Sequence, residues 1–151
     1  MDVAQILHRR GAENAEFPQS EITDVVISSA IEVHRALGPG LLESVYQRAL
    51  EHELALRGVR VLAQHLVPVV YKGVALGEAL RLDLLVAERV VVEVKAVSQV
   101  DEIHRAQLLT YLRLTALEVG LLINFNVPLL KQGVLRVVNS LRSSATSAPL
   151  R

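Results

Sequence analysis

The chain of 151 residues contains no cysteine and no tryptophan, and its aromatics are limited to two phenylalanines and three tyrosines. Without cysteine there are no disulfides, thiolate metal sites or thiol nucleophiles. A reducing cytoplasm is compatible with that absence, and the expected location is cytoplasmic. With aromatics so scarce and 51% of residues hydrophobic, the core must be aliphatic, built from Leu, Val, Ile and Ala. Long apolar runs are missing too. Val3 to Leu7 is interrupted by Gln5 and is too short for a signal-peptide core, and Val90 to Val92 and Val119 to Ile123 have at most strand length. The expectation is a chain with no membrane span. A surplus of either charge is also absent: 16 basic residues balance 16 acidic ones. That counts against a dedicated nucleic-acid coat, which carries a basic excess, but not against an enzyme whose acidic site offsets basic groups elsewhere.

The length suits one domain able to bury its own core. Residues 1–19 read as a flexible arm, since Gly11, Asn14 and Pro18 break any periodic pattern, and 140–151 read as a disordered polar tail. Between them, over 20–139, lies the folded domain. Ser20 is the expected N-cap of a helix over about 21–37, with Ile22, Val26, Ala30, Val33 and Leu37 at helical spacing. Gly38-Pro39-Gly40 ends it. A second helix is expected over 41–57, with Leu42, Val45, Ala49, His52 and Leu56 along one side and Gly58 closing it. From residue 59 short valine-rich runs argue strands: a long bent one over 59–71 with Pro68 inside it, then 79–86 and 89–97 as an antiparallel hairpin. Lys72-Gly73 through Gly77 is the expected turn before that hairpin. A third helix over 101–115 and strands at 119–125 and 134–138 follow. The order ααβββαββ implies an α/β domain with a mixed sheet flanked by helices. The Pro68 strand and the 134–138 strand offer edges on which two copies could pair into a homo-oligomer.

Chemistry concentrates in Val90-Val91-Val92-Glu93-Val94-Lys95-Ala96-Val97. Side chains alternate along a strand, so Glu93 and Lys95 share one face, about 7 Å apart by rise. Val92, Val94 and Ala96 point the other way. Asp83, on the preceding strand, can lie near them across the hairpin, on the same face as Arg81. Burying carboxylates in a valine-rich strand is costly unless a cation or hydrogen bonds compensate. Two carboxylates converging with an ammonium suit a divalent cation, because magnesium prefers hard oxygen ligands. An E-x-K pair is also a common solvated ion pair on a strand face. Lysine is rare here, at Lys72, Lys95 and Lys131 against thirteen arginines. A chain that prefers arginine keeps a lysine inside this strand.

The spacing D-x9-E-V-K on adjacent strands resembles the PD-(D/E)XK nuclease superfamily, with Leu82 where the name has proline. More specifically, Gly40-Leu41-Leu42-Glu43-Ser44-Val45-Tyr46 resembles the signature of the GxxExxY proteins. The likeness continues through Gln64, Tyr71-Lys72-Gly73, R-L-D-L-L-V, V-E-V-K-A, I-H-R-A-Q-L-L-T-Y-L, G-L-L-I-N-F-N and Lys131-Gln132-Gly133, covering about 21–139. The resemblance implies a restriction-endonuclease-like fold and a magnesium-dependent nuclease, with manganese as a substitute ion, acting on DNA or RNA. It implies that Asp83, Glu93 and the Val94 carbonyl ligate the metal, and that Lys95 positions the attacking water. Glu43 would be a helix acid holding a metal-bound water; alternatively it is an exposed glutamate at a helix N-terminus, where the dipole favours it. Gln107 and Tyr111, four apart on the third helix, resemble a Q-x3-Y element in which the glutamine orders the site and the tyrosine contacts substrate. His104 and Arg81 are further candidates for substrate contact. The rival expectation is a catalytically silent module that keeps the nuclease scaffold to bind nucleic acid or a protein partner, and a third is a hydrolase of some other phosphate ester.

Overall fold

The computed structural model describes residues 18–140, apart from the side chains at positions 78 and 79. The expected arm, but for its last two residues, and the expected tail, but for its first, lie outside that range. Among the described residues nine elements follow in chain order: α1 (Gln19–Leu37), α2 (Glu43–Leu56), β1 (Val61–Tyr71), β2 (Val74–Val86), β3 (Val90–Lys95), α3 (Glu102–Thr115), β4 (Val119–Asn124), a short 3-10 turn (Leu130–Gly133) and β5 (Val134–Val138). The strands form one sheet in the order β1-β2-β3-β4-β5, in which only β3 and β4 run parallel. The parallel pair needs the crossover that α3 supplies, and the other neighbours are antiparallel. No described helix is long and apolar enough to cross a membrane.

Strand alternation assigns the two layers. Val90, Val92 and Val94, with Leu121 and Ile123, pack against α1 and α2 through Ile22, Val26, Ala30, Tyr46, Leu50 and Leu54. Val91 and Leu122 face α3 through Leu108 and Leu112. Both faces of the central pair are covered, which is why those strands are nearly all apolar. Glu93, Lys95 and Asn124 are the exceptions.

Four expectations are corrected. Ser20 does not cap α1: the helix starts at Gln19 after Pro18, and Ser20 sits in its first turn with its carbonyl accepting from the Thr23 hydroxyl at 2.9 Å. On α2 the buried side is Tyr46, Leu50 and Leu54, whereas Leu42, Val45 and Leu56 are exposed. The Tyr46 ring decides this. It stacks on Phe125 with centroids 4.6 Å apart, and its hydroxyl donates to the Gly38 carbonyl and accepts from Leu41 N–H. The G-x-x-E-x-x-Y stretch is thus locked by its tyrosine, leaving Glu43 exposed at the helix start. The turn after β1 is only Lys72-Gly73, both at positive φ (47° and 80°), so Val74 already pairs with Tyr71. That conformation closes two-residue hairpins and suits glycine. Finally, the ladder between β2 and β3 is shorter than a full hairpin, ending at the pair Leu84–Val92. Pro68 lies on the edge strand beside a register shift between Pro68 and Val70, where a residue without an N–H is tolerated.

Candidate functional site

Where the β2–β3 ladder ends, the strands fork, and the carboxylates take over from the main chain. Glu93 Oε1 accepts from Asp83 N–H at 3.2 Å, and Asp83 Oδ2 accepts from Val94 N–H at 2.9 Å. Each acid therefore holds the backbone of the other's strand. β3 runs on beside β4 to the pair Lys95–Asn124, and Phe125 N–H donates to the Lys95 carbonyl at 2.9 Å. The Val94 N–H leaves by the opposite edge, toward Asp83. A strand residue's carbonyl leaves by the same edge as its N–H, so the Val94 oxygen also points into the fork.

The fork has a cause in the strands that feed it. Leu84 and Val86 belong to the α1/α2 layer and Leu85 to the α3 layer, yet Leu82 joins Leu85 rather than Leu84. Alternation therefore breaks at Asp83. On β1, Gln64 lies between the pairs Ala63–Leu84 and His65–Leu82 and has left-handed backbone, φ 51°. From here outward β1 and β2 continue as a two-stranded ribbon.

Glu93 is only 5% exposed, and no salt bridge reaches it or Asp83 among the described residues. Burial, and next the Asp83 charge, push the Glu93 carboxyl up to about 8, against the opposing pull of the Asp83 N–H and of Lys95. Tyr111 on α3 is part of the same neighbourhood. Burial raises its phenol above the usual value, and the charges of Glu93 and then Asp83 add to the effect. Lys95 is half-buried on the Glu93 face. Just beyond it Asn124, itself buried, clamps Val97 by accepting from its N–H at 3.1 Å and donating to its carbonyl at 2.9 Å. That clamp continues the β3–β4 pairing past Lys95. Gly133 lies so close to the Asn124 carbonyl that a Cβ there would overlap it.

Asp83, Glu93, Lys95, the Val94 main chain and Tyr111 are thus gathered at one end of β3. Other residues singled out in the sequence lie farther out. Glu43 opens α2 and is exposed, and among the described residues no three His, Cys, Asp or Glu side chains close on a metal by themselves. Gln107 is exposed, one turn before Tyr111. His104 Nδ1 accepts from Asp101 N–H at 3.1 Å, helping to cap α3. Arg81 is exposed opposite Leu66, with no hydrogen bond or salt bridge to the acids. A residue the sequence reading passed over is Gln47, whose Oε1 accepts from Gln64 Nε2 at 2.7 Å, while the same nitrogen lies 3.5 Å from Asp83 Oδ1. Its one signal was its place four residues after Glu43 on the same helix face.

The donors at the fork are carboxylate and carbonyl oxygens, a set suited to a hard divalent cation. Comparison with curated proteins and with solved structures gives no match. The family model of the PD-(D/E)XK nuclease superfamily matches residues 20–137, from the first turn of α1 into β5. Fork, mixed sheet and match agree, and the chain belongs to the PD-(D/E)XK nuclease superfamily.

Proposed function

We propose that this chain is a magnesium-dependent nuclease that hydrolyses phosphodiester bonds in DNA or RNA, with manganese as an alternative ion. The observation that carries the reading is the Glu93 carboxyl, buried beside Asp83, bonded across the fork and pushed up to about 8, a cost that a cation lodged between the two acids would offset. Asp83 and Glu93 would hold the ion, with the Val94 carbonyl as a further oxygen. Bound there, magnesium would polarise the scissile phosphate and acidify a coordinated water.

The chain's own groups account for the remaining work. Lys95, with three N–H donors on the Glu93 face, orients the attacking water and offsets charge growing on the phosphoryl oxygens. Tyr111 keeps its proton well into the alkaline range, so its hydroxyl is a donor to a phosphate oxygen. With its Nδ1 occupied as an acceptor, neutral His104 carries its proton on Nε2, leaving a second donor on the same helix. Gln107 orders the site beside Tyr111, Glu43 holds a water on the α2 side, and Arg81 contacts the substrate backbone. The ordered GxxExxY-like series supports the same reading.

The test is hydrolysis of a panel of single-stranded, duplex and branched DNA and RNA in magnesium or manganese. Wild type should cleave at least one substrate, and Asp83→Ala and Lys95→Ala should each lose about a hundred-fold or more. Activity that survives both substitutions contradicts the mechanism. The balanced net charge favours a second reading, a catalytically silent module for nucleic acid or a protein partner. Binding without cleavage under every metal condition would select it.

A further inference from the structure

We propose that Gln64, steadied by Gln47, is a positioning residue that fixes the Asp83 carboxylate for its cation; this rests on the cation site proposed above and adds a support reaching it from α2 and β1. Gln64 Nε2 donates to Gln47 Oε1 at 2.7 Å and faces Asp83 Oδ1 at 3.5 Å, the long end of a hydrogen bond. Gln64 turns its NH2 group, not its oxygen, toward Asp83 Oδ1. That NH2 group also reaches Gln47, which must therefore present its own oxygen. The two amides and the carboxylate thus form one chain of contacts. Asp83 Oδ2 is meanwhile tied to Val94 N–H at 2.9 Å. The carboxylate is thus restrained at both oxygens, by β3 at one and by the glutamine pair at the other.

The backbone supplies an independent indication. Gln64 is exposed and has φ of 51°, a conformation in which glycine would be relaxed and any L side chain is strained. A long amide kept there is explained by its contacts rather than by the fold. The position also coincides with the break in alternation at Asp83, so the same strained residue shapes the fork and braces one of its acids. Outer partners that orient a ligating carboxylate typically matter about ten- to a hundred-fold in metal affinity.

The experiment is calorimetric titration of manganese and of magnesium into the full chain, with thermal melting of each metal-free protein. The set is wild type, Gln64→Gly, Gln47→Ala, Gln47→Glu, the double variant Gln47→Ala/Gln64→Gly, and Asp83→Ala. Gln64→Gly should melt at or above the wild-type temperature yet bind either ion about ten-fold or more weakly. Gln47→Ala should also weaken binding, Gln47→Glu should restore it by keeping an acceptor for Gln64, and the double variant should be no weaker than Gln64→Gly alone. If Gln64→Gly and Gln47→Ala bind within two-fold of wild type while Asp83→Ala does not bind, the glutamine brace is wrong and the cation site stands. The brace is equally wrong if Gln64→Gly melts well below wild type, because its role is then structural. Wild type that binds no ion, or Asp83→Ala that binds as well as wild type, overturns the site itself.

Discussion

At the residue scale the decisive group is Glu93. Its carboxyl has a folded value near 8 against an ordinary 4.5, so between those limits the folded state holds a proton that the unfolded chain has released. Stability contributed by the protonated form is complete below about pH 4.5 and is lost as the pH rises through 8. The slope for one such group approaches about 1.4 kcal/mol per pH unit inside the window. We therefore expect the metal-free protein to lose stability between about pH 5 and pH 8 more steeply than Glu93→Gln, as measured by urea midpoints. Magnesium should recover most of the loss at the alkaline end, because it binds the ionised carboxylate. Identical pH profiles for wild type and Glu93→Gln would show that burial of this acid carries no penalty. That Asp83 would lie beside Glu93 was legible in the sequence, since a tight connection sets their strands side by side, but the carboxylate bonds that replace the ladder there were not. Gln47 was not, because nothing local marks a glutamine on α2 as the partner of one on β1.

At the element scale, the same limit explains which face of α2 was misjudged. Apolar residues lie on more than one side of that helix, and periodicity alone cannot choose between the stripes. The choice came from contacts distant in sequence, the Tyr46 stack on Phe125 and its hydroxyl on Gly38. The turn after β1 was read as too long for a related reason: Val74 and Leu76 continue the strand although they are exposed and Gly77 is nearby. Helix α3 was placed almost to the residue, its start marked by a local signal, Asp101. It begins at Glu102 behind the Asp101 cap and is closed by Ala116 in left-handed backbone, φ 55°, where Leu117 N–H turns back to the Leu112 carbonyl at 3.0 Å. Glycine is the relaxed residue in that conformation. Ala116→Gly, exposed and remote from the fork, should raise stability by about 1 kcal/mol in urea unfolding with cation affinity unchanged.

At the scale of the whole molecule, the sheet order and the two covered faces follow from the order ααβββαββ, with α3 carrying the one parallel crossover. Less legible was the parting of β2 from β3 at Asp83, since a hairpin pattern predicts continued pairing. Three strands thereby arrange the site: β1 supplies Gln64, β2 leaves its partner at Asp83, and β3 runs on to Lys95 beside β4. The balanced net charge gives the molecule no overall basic surplus, so on the proposed function recognition of phosphate would rest on a cation and a few donors near it.

That dependence makes one measurement decisive: anomalous scattering from crystals of the full chain soaked in manganese. The account predicts a single strong peak at the β2–β3 fork, about 2.0–2.5 Å from oxygens of Asp83, Glu93 and Val94, and none at that position in Asp83→Ala crystals. A fork free of anomalous density in the wild type, or a peak that persists without the Asp83 carboxylate, would contradict it.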